Sequence, residues 1–354
     1  MNEKVLMTGN EAAAEAAIRA GCRFCSAYPI TPSSEFLEYM AHRLPEVEGI
    51  FIQSESEISA INMLFGASAA GKRAIVASSA CGVALMQETI SYLASTQLPG
   101  VIVNISRAGP GLGRITPTQA DYWQMTKGGG NGDYQLVVLG PASVQEMAEL
   151  TYLAFDLADK YRNPVAILAD GMLGQMMEPV VLPKFRDLNS LPQKPWAVTG
   201  AKGRERNLVL VAPYTDEEMI TLNEELDRKY RVLEAAEQRW EPTFLDDAEL
   251  VIVAFGTAAR IAGDVIERAR NEGIKVGMIR PISLWPFPKD AFKNLEAHVR
   301  TYLVLEMSNG QMVDDVRLTR PGDTPVHHYG KGGGWKPTSK GVYEQILQLW
   351  RCIA

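Results

Sequence analysis

Short apolar runs alternate with amphipathic segments along the first half of the chain, and this alternation limits the possible folds more than any other feature. The apolar runs have the length and continuity of strands that are buried on both faces. They lie at Arg73–Ser78, Val101–Ser106, Tyr134–Leu139 and Val165–Asp170. Segments with a helical period lie between them. Because such alternation is typical of a parallel sheet with helices on both faces, the sequence predicts an α/β fold with a doubly wound parallel sheet.

A second α/β unit follows in the last third of the chain. Its predicted strands lie at Glu249–Phe255, Lys275–Arg280 and Arg300–Glu306. Between the two units the periodicity is lost in a stretch rich in proline and lysine, and a long charged helix is predicted from Thr215 to Trp240. Since 354 residues exceed one ordinary core, we expect a first domain at 1–183, a linker with the long helix at 184–246 and a second domain at 247–354.

The charge and hydropathy patterns exclude two classes of partner. The formal net charge of −7 is spread along the chain without a basic cluster, so nucleic acid is not an expected partner. No apolar run approaches the length of a membrane span, and the first residues lack the apolar core of a signal peptide. We therefore expect a cytoplasmic protein that does not bind membranes.

Cysteine and histidine supply no recognisable metal or nucleophile motif. The four cysteines, Cys22, Cys25, Cys81 and Cys352, lack the spacing of iron–sulfur ligands, and none of the four histidines lies in a catalytic motif. Cys22 and Cys25 form an isolated C-x-x-C, which is either a redox or metal pair or, as the simpler alternative, two buried thiols. No metal site is predicted in this chain.

Two polar stretches, Tyr28–Ser34 and Gln53–Glu57, stand out as candidates for chemistry. Thr31 precedes Pro32 and an amphipathic run, so the pattern predicts Thr31 as the N-cap of a helix with proline in its first turn. Such a helix start can bind an anion, although capping alone also explains the pattern. Glu57 enters an apolar helical run, where it is either an ordinary first-turn acid or a buried acid with a chemical role.

An arginine directly follows one of the predicted buried strands. Arg107 begins the glycine-rich loop that continues to Arg114. Because ligands of such sheets bind beyond the carboxyl ends of the strands, this guanidinium is placed to bind a carboxylate bidentately. The alternative is that Arg107 pairs with an acid of the protein at a domain edge.

Taken together, these motifs resemble the 2-oxoacid:ferredoxin oxidoreductases, which use thiamine diphosphate, and specifically the alpha-type subunit of their multi-subunit forms. The similar segments cover nearly the whole chain. In the first domain they are Tyr28–Pro32, Ser54–Met63, Val101–Arg107, Gln119–Tyr122, Lys127–Tyr134, Gly140–Glu146 and Asp170–Met177, and in the second they are Ala254–Arg260, Ile279–Pro288 and Leu305–Gln311. The resemblance implies a pyrimidine-type thiamine diphosphate domain followed by a transketolase C-terminal-like α/β domain.

The resemblance assigns catalytic roles to three residues. Glu57 matches the family glutamate that hydrogen-bonds the aminopyrimidine of thiamine diphosphate, while Glu55 matches that position less well. Sharing a proton with this carboxyl group prepares the cofactor for reaction. Thr31 and Arg107 match the family residues that hold the keto and carboxylate groups of the 2-oxoacid.

The resemblance also implies which residues shape the cofactor site. They are Tyr28, Pro29, Ile30, Ser79 and Cys81, in addition to Glu57. Related subunits usually carry a Pro-Gly pair after the serine run, whereas this chain has Ser78-Ser-Ala-Cys-Gly-Val83. Cys81 is therefore expected near the cofactor, where it affects the shape of the pocket.

Partners are implied by what the chain lacks. It has no Gly-Asp-Gly followed by asparagine, the module that holds the diphosphate and its Mg²⁺. In the split enzymes that module belongs to a beta-type subunit, so this chain is expected to form only part of an enzyme. A gamma-type subunit and a ferredoxin-like delta subunit complete the implied hetero-oligomer, with iron–sulfur clusters in the partners only, coenzyme A as co-substrate and ferredoxin or flavodoxin as acceptor.

The 2-oxoacid and the role of the subunit leave alternatives open. The run Lys127–Tyr134 and the compact length look most like the branched-chain, or 2-oxoisovalerate, type, in which a 2-oxoacid is oxidatively decarboxylated to an acyl-CoA. The 2-oxoglutarate type is the alternative. For the role of the subunit, the alternative is that the chain is a non-catalytic assembly or docking subunit of such a complex. A nicotinamide dehydrogenase is disfavoured because the segment from Gly9 lacks the second and third glycines of a dinucleotide fingerprint.

Overall fold

The computed structural model describes residues 4–353, in which strands and helices alternate. The strands are β1 (Val5–Thr8), β2 (Phe24–Ala27), β3 (Ile50–Gln53), β4 (Ala74–Ser78), β5 (Gly100–Ala108), β6 (Arg114–Pro117), β7 (Val137–Leu139), β8 (Pro164–Asp170), β9 (Met177–Val180), β10 (Trp240–Thr243), β11 (Leu250–Val253), β12 (Val276–Pro281), β13 (Ser283–Trp285), β14 (Thr301–Glu306) and β15 (Val326–Gly330). The α-helices are α1 (Gly9–Arg19), α2 (Ser34–Arg43), α3 (Glu57–Ala69), α4 (Ala80–Ser95), α5 (Tyr122–Thr126), α6 (Val144–Tyr161), α7 (Gly171–Gln175), α8 (Asp216–Ala236), α9 (Gly256–Asn271), α10 (Met312–Thr319) and α11 (Ser339–Ile353).

The first sheet contains the four strands that the apolar runs predict, β4, β5, β7 and β8. Its order is β13-β7-β8-β5-β4-β2-β3, and the strands from β7 to β3 are mutually parallel. The short β6 turns back antiparallel against the end of β5. β4, β5 and β8 are buried along their whole length, which is why their sequences are continuously apolar. This sheet is the predicted doubly wound parallel sheet.

The second sheet has the order β10-β12-β11-β14-β15, with β10 antiparallel and the others parallel. β11, β12 and β14 correspond to the three strands predicted there. β10 lies within the stretch 184–246 that the sequence suggested as a linker, yet it pairs with β12. β13 lies beyond residue 247 but pairs with β7 of the first sheet. The two units therefore exchange short edge strands across their interface.

The long helix α8 follows the prediction closely. Thr215 caps it, and Glu218 completes a reciprocal capping box with the Thr215 backbone. Its buried side chains are Leu226, Tyr230 and Leu233, all in the second half of the helix. Its first half is mostly exposed, as expected for a charged bridging helix.

The isolated C-x-x-C lies in the interior of the first domain. Cys22 and Cys25 are free and fully buried, as the alternative of two core thiols predicts. Burial raises the pKa of the Cys22 thiol to about 12. Within residues 4–353, none of the helices combines the length and apolarity that a membrane span requires.

A charged pair joins the two domains beside the exchanged strands. Arg280, on β12, donates two hydrogen bonds to the carboxylate of Glu146 in the first turn of α6, at 2.9 and 2.7 Å. The Arg280 side chain is only 8% exposed, and it also contacts Glu241 of β10. A bidentate pair with this degree of burial fixes the relative positions of the sheets more firmly than a surface ion pair does.

Replacing Arg280 by Met should therefore lower the free energy of unfolding by about 1–2 kcal/mol, because the partly buried Glu146 carboxylate loses its bidentate partner while the more exposed Glu241 is screened by water. Urea denaturation measures the loss. The matched control is Arg231→Met, which breaks the exposed pair with Asp227 and should cost no more than about 0.5 kcal/mol. Equal losses in the two variants would contradict the structural role assigned to Arg280.

Candidate active site

Four adjacent parallel strands end at the same edge of the first sheet, in the order β5, β4, β2, β3. Each candidate residue from the sequence lies at one of these ends or shortly after it. Arg107 lies at the end of β5, and Ser79 and Cys81 follow β4 at the start of α4. The segment 28–31 follows β2, and Glu57 follows β3 as the first residue of α3. The topology therefore gathers residues that are far apart in the chain.

The Arg107 guanidinium is buried, with 8% of the residue exposed, and three segments hold it. It donates to the backbone oxygens of Thr31, at 3.0 Å, and Leu112, at 2.9 Å, and it contacts the Cys81 sulfur at 3.0 Å. Its Nε has no partner within residues 4–353. None of the carboxylates in that range forms a salt bridge with it, in contrast to the alternative of a structural ion pair. An uncompensated buried cation is a favourable site for an anionic ligand.

The turn after β2 differs from the sequence prediction in one respect. Thr31 is not the N-cap of α2, because the helix begins at Ser34 and Ser33 occupies the cap position. Residues 30–33 instead form a turn in which the Ser33 backbone N–H and side-chain hydroxyl both donate to the Ile30 oxygen, at 2.9 and 2.8 Å. The turn leaves Thr31 exposed, with its carbonyl oxygen on Arg107.

Tyr28 and Pro29 are also exposed at this turn, and Ile30 is half-buried. Tyr28 exposes 39% of its surface. The turn is anchored from below, because the Asn10 side-chain amide donates to the Pro32 oxygen at 2.8 Å. These side chains therefore belong to the same partly exposed turn whose Thr31 carbonyl oxygen binds Arg107.

The two glutamates after β3 have different environments. Glu57 is buried, with 6% exposed, and its carboxylate accepts no hydrogen bond from the side chains or backbone of residues 4–353. Glu55 is exposed and accepts a hydrogen bond from the Ser59 hydroxyl, which lowers its pKa. The N-cap of α3 is Ser56, whose hydroxyl accepts from the Ser59 N–H. Glu57 is therefore not needed as a cap and is free to bind a ligand.

Gly82, in the first turn of α4, makes room for the Glu57 carboxylate. A Cβ at this position would lie 2.7 Å from Glu57 Oε1 and would overlap the Ser78 hydroxyl. The hydroxyls of Ser78 and Ser79 are buried without a hydrogen-bond partner in the described chain. An unpaired carboxylate and two unpaired hydroxyls around a glycine form a polar cradle that suits a flat heterocycle with hydrogen-bonding groups.

A cleft with a volume of about 740 Å³ runs from Cys81 to the second domain. Its walls include side chains that the sequence did not single out; they are Asp121, Gln124, Asn309 and Gln311. Burial raises the pKa of the Asp121 carboxyl, although hydrogen bonds from Ser106 and Asn104 oppose the shift. Asp121 lies in the segment Gln119–Tyr122, which resembles the family. The sequence of this segment alone does not reveal which strand the Asp121 side chain contacts. Among residues 4–353, no cluster of three or more acids, cysteines or histidines could hold a metal ion.

Two family descriptions match the chain. Residues 15–244 match the family described as pyruvate flavodoxin/ferredoxin oxidoreductase, thiamine diphosphate-binding, and residues 248–342 match pyruvate:ferredoxin oxidoreductase core domain II. The first match alone covers more than half of the chain. Together they confirm the predicted order of a thiamine diphosphate-type domain and a second α/β domain.

Individual relatives agree with these matches. The chain is 48% identical to the ketoisovalerate oxidoreductase subunit VorB of Methanothermobacter marburgensis, over 88% of this chain and 89% of that protein. It is 45% identical to the subunit of the same name from Methanothermobacter thermautotrophicus, over 97% of both. The 2-oxoglutarate:ferredoxin oxidoreductase of Magnetococcus marinus, solved with 2-oxoglutarate, coenzyme A and succinyl-CoA bound, superposes with a TM-score of 0.89 at 25% identity, covering 99% of this chain and 66% of that one.

The loop over Arg107 depends on Gly113. This residue has a φ of +62°, and a Cβ there would overlap the Ala108 carbonyl oxygen, whereas Gly111 has a φ of +66° with open space around it. Gly113→Ala should thus lower the free energy of unfolding by at least about 1 kcal/mol more than Gly111→Ala, since both add left-handed strain but only one adds a clash. Thermal unfolding of the two variants measures the difference. Indistinguishable midpoints would show that the loop is not held against Ala108.

Proposed function

The chain belongs to the pyruvate flavodoxin/ferredoxin oxidoreductase family, and we propose that it is the alpha-type subunit of a branched-chain 2-oxoacid:ferredoxin oxidoreductase. The reaction is the coenzyme A-dependent oxidative decarboxylation of 2-oxoisovalerate to an acyl-CoA and CO₂, with reduction of ferredoxin. The observation that carries the reaction class is the buried Arg107, which has no acid partner in the described chain and shares a sheet edge with Glu57, whereas the branched-chain substrate is supported by the similarity to the two ketoisovalerate oxidoreductase subunits.

The residues around Gly82 fit the pyrimidine end of thiamine diphosphate. When bound, this cofactor supplies a nucleophilic carbon and takes up the electron pair that decarboxylation leaves behind. Glu57 would hold a proton shared with the pyrimidine ring, and its lack of another partner leaves the carboxylate available for this role. The Ser79 hydroxyl is an unpaired group beside the same cradle. Pro29 and Ile30 border the site on the side of β2.

Arg107 would bind the carboxylate of the 2-oxoacid. Its Nε is unpaired, while Thr31 and Leu112 fix the direction of the guanidinium through their carbonyl oxygens. The Thr31 hydroxyl lies at the same exposed turn and would donate to the keto oxygen. Charge-assisted hydrogen bonds of this kind orient the substrate so that its C–C bond is directed for cleavage. Tyr28 would shield the bound substrate from water.

The remaining parts of the enzyme belong to other subunits. A beta-type subunit would hold the diphosphate and Mg²⁺, and gamma-type and ferredoxin-like delta subunits would complete the hetero-oligomer, with the iron–sulfur clusters in these partners. Exposed apolar side chains next to the site support a covered face; they are Ile58, Leu85, Leu112 and Ile115. Because coenzyme A and ferredoxin are intracellular, we propose the cytoplasm as the compartment.

The assembled complex should prefer 2-oxoisovalerate over 2-oxoglutarate by at least about tenfold in kcat/KM, since Arg107 is the one buried cation found at the site within residues 4–353 and a second substrate carboxylate would be left unpaired. The experiment is to co-purify the chain with its partner subunits and assay a panel of 2-oxoacids with coenzyme A and a low-potential electron acceptor. Turnover of 2-oxoglutarate alone would overturn the substrate assignment but leave the reaction class intact.

Glu57→Gln should reduce kcat of the assembled complex by about 10²- to 10⁴-fold, because an amide cannot share the proton that the pyrimidine ring requires. Glu55→Gln is the matched control: it changes an exposed glutamate two residues away and should leave kcat close to that of the wild type. Size-exclusion chromatography establishes that both variants assemble. Full turnover by an assembled Glu57→Gln complex would favour the alternative of a non-catalytic assembly subunit.

A further inference from the structure

A short segment, residues 118–123, connects the loop after β5 to the second domain. Its first two residues, Thr118 and Gln119, form hydrogen bonds with the backbone of Met307, which follows β14. The Thr118 hydroxyl and the Gln119 backbone N–H both donate to the Met307 oxygen, at 2.9 and 3.0 Å. The Gln119 side chain accepts from the Met307 N–H at 3.0 Å. All these groups are buried, so these hydrogen bonds hold the start of the segment firmly against the second domain.

Gln311 holds the other end of the segment. Its side-chain oxygen accepts from the Trp123 N–H at 2.8 Å, and its side-chain amide donates to the Ala120 oxygen at 2.7 Å. Gln311 is itself fixed by the fully buried Glu306, whose carboxylate accepts from the Gln311 N–H at 3.1 and 3.0 Å. The second domain thus forms hydrogen bonds with residues on both sides of Asp121, before it at 118–120 and after it at Trp123.

Asp121 is directed back toward the first sheet. It is 8% exposed, and its Oδ2 accepts from the Ser106 hydroxyl at 2.6 Å and from the Asn104 side-chain amide at 3.1 Å. The oxygen of the Asn104 side chain in turn accepts from the Ala80 N–H at 3.1 Å. Ala80 is the first residue of α4, so Asn104 binds one of the free backbone donors at the start of this helix.

The first turn of α4 carries the groups that adjoin both proposed catalytic residues. Cys81 contacts the Arg107 guanidinium through its sulfur, and Gly82 lies against the Glu57 carboxylate. A continuous series of contacts therefore leads from the second domain through Asp121 and Asn104 to the candidate site. Asp121 itself takes no direct part in the proposed reaction.

We propose that Asp121 is a positioning residue that sets the first turn of α4 through Asn104, and thereby places Cys81 on Arg107 and Gly82 beside Glu57. The inference rests on the proposed function for its kinetic consequences only. On this proposal the second domain holds the segment 118–123 in place. The Glu57 and Arg107 side of the candidate site is then already formed before ligands bind.

Four variants of the assembled complex test the proposal, each in a Cys352→Ser background. Asp121→Ala and Asn104→Ala break the series of contacts at two points. Asp121→Asn keeps an oxygen for Ser106 and Asn104. The matched control is Asp315→Ala, because Asp315 of the second domain is equally buried at 8% and accepts hydrogen bonds from Tyr122 and Lys127 across the same interface, but forms no hydrogen bond with α4 in the described chain.

Two readouts separate positioning from simple stabilisation. The first is kcat and KM with 2-oxoisovalerate. The second is the rate at which iodoacetamide alkylates Cys81 in the full chain purified without its partner subunits, so that cysteines of those subunits do not contribute; Cys22 and Cys25 are fully buried, and the exposed Cys352 has been replaced. The alkylation rate reports the geometry of α4 without any turnover, so it remains informative if the proposed function is wrong.

Asp121→Ala and Asn104→Ala should each reduce kcat/KM by about 10- to 100-fold, the range seen when residues that orient an active-site group are lost. Both should also change the rate of Cys81 alkylation several-fold, because the sulfur loses its fixed contact with the Arg107 guanidinium and a neighbouring cation alters the reactivity of a cysteine. Asp121→Asn should resemble the wild type in both readouts. Asp315→Ala should lower the melting temperature while leaving kinetics and alkylation unchanged.

Other outcomes would overturn the proposal. If Asp121→Ala behaved like Asp315→Ala, the role of Asp121 would be stabilisation alone. If Asp121→Asn lost as much activity as Asp121→Ala with no change in alkylation, the charge of Asp121 would act directly in the reaction. If Asp121→Ala failed to fold, a wild-type alkylation rate in Asn104→Ala would still refute the proposed series of contacts.

Discussion

The parallel alignment of β5, β4, β2 and β3 is the constraint on which the candidate site depends. Parallel strands share a direction, so the segments that follow their carboxyl ends meet at one edge of the sheet. Arg107, Cys81, Thr31 and Glu57 lie at such ends, although some 75 residues separate the turn after β2 from Arg107. In an antiparallel sheet, the carboxyl ends of neighbouring strands lie at opposite edges, so these four residues would be divided between the two edges.

Charge balance explains why the site is poised for an anion. Buried arginines of this protein usually have carboxylate partners, as Arg73 has in Asp156 and Asp159 and as Arg280 has in Glu146. Arg107 has only neutral acceptors and a thiol within residues 4–353. A substrate carboxylate would supply the missing charge. The neutral acceptors hold the guanidinium in a fixed direction but leave its positive charge uncompensated. An anionic ligand can therefore pair with this charge and gain binding free energy from it.

The sequence predicts the parts of this arrangement that are encoded locally. β4, β5 and β8 are buried on both faces and are therefore continuously apolar, whereas β2 and β3 have only four residues each and were missed. Thr31 was wrongly predicted as an N-cap because Ser33, two residues later, takes that position. Nothing in the sequence indicated the role proposed for Asp121, since its partners Asn104 and Ser106 lie on a strand whose spatial neighbours cannot be predicted from local sequence pattern. The family resemblance supplied the candidate roles that periodicity could not.

The central claim is that Glu57 and Arg107 form half of a thiamine diphosphate site that a second subunit completes. A structure of the assembled complex with thiamine diphosphate and 2-oxoisovalerate tests it most directly. The measured quantities are the distances from the Glu57 carboxylate to the nearest pyrimidine nitrogen and from the Arg107 guanidinium to the substrate carboxylate. Both should lie at about 2.6–3.2 Å, with the diphosphate bound by the partner subunit. A pyrimidine ring held by Glu55 or by the partner alone would contradict the account.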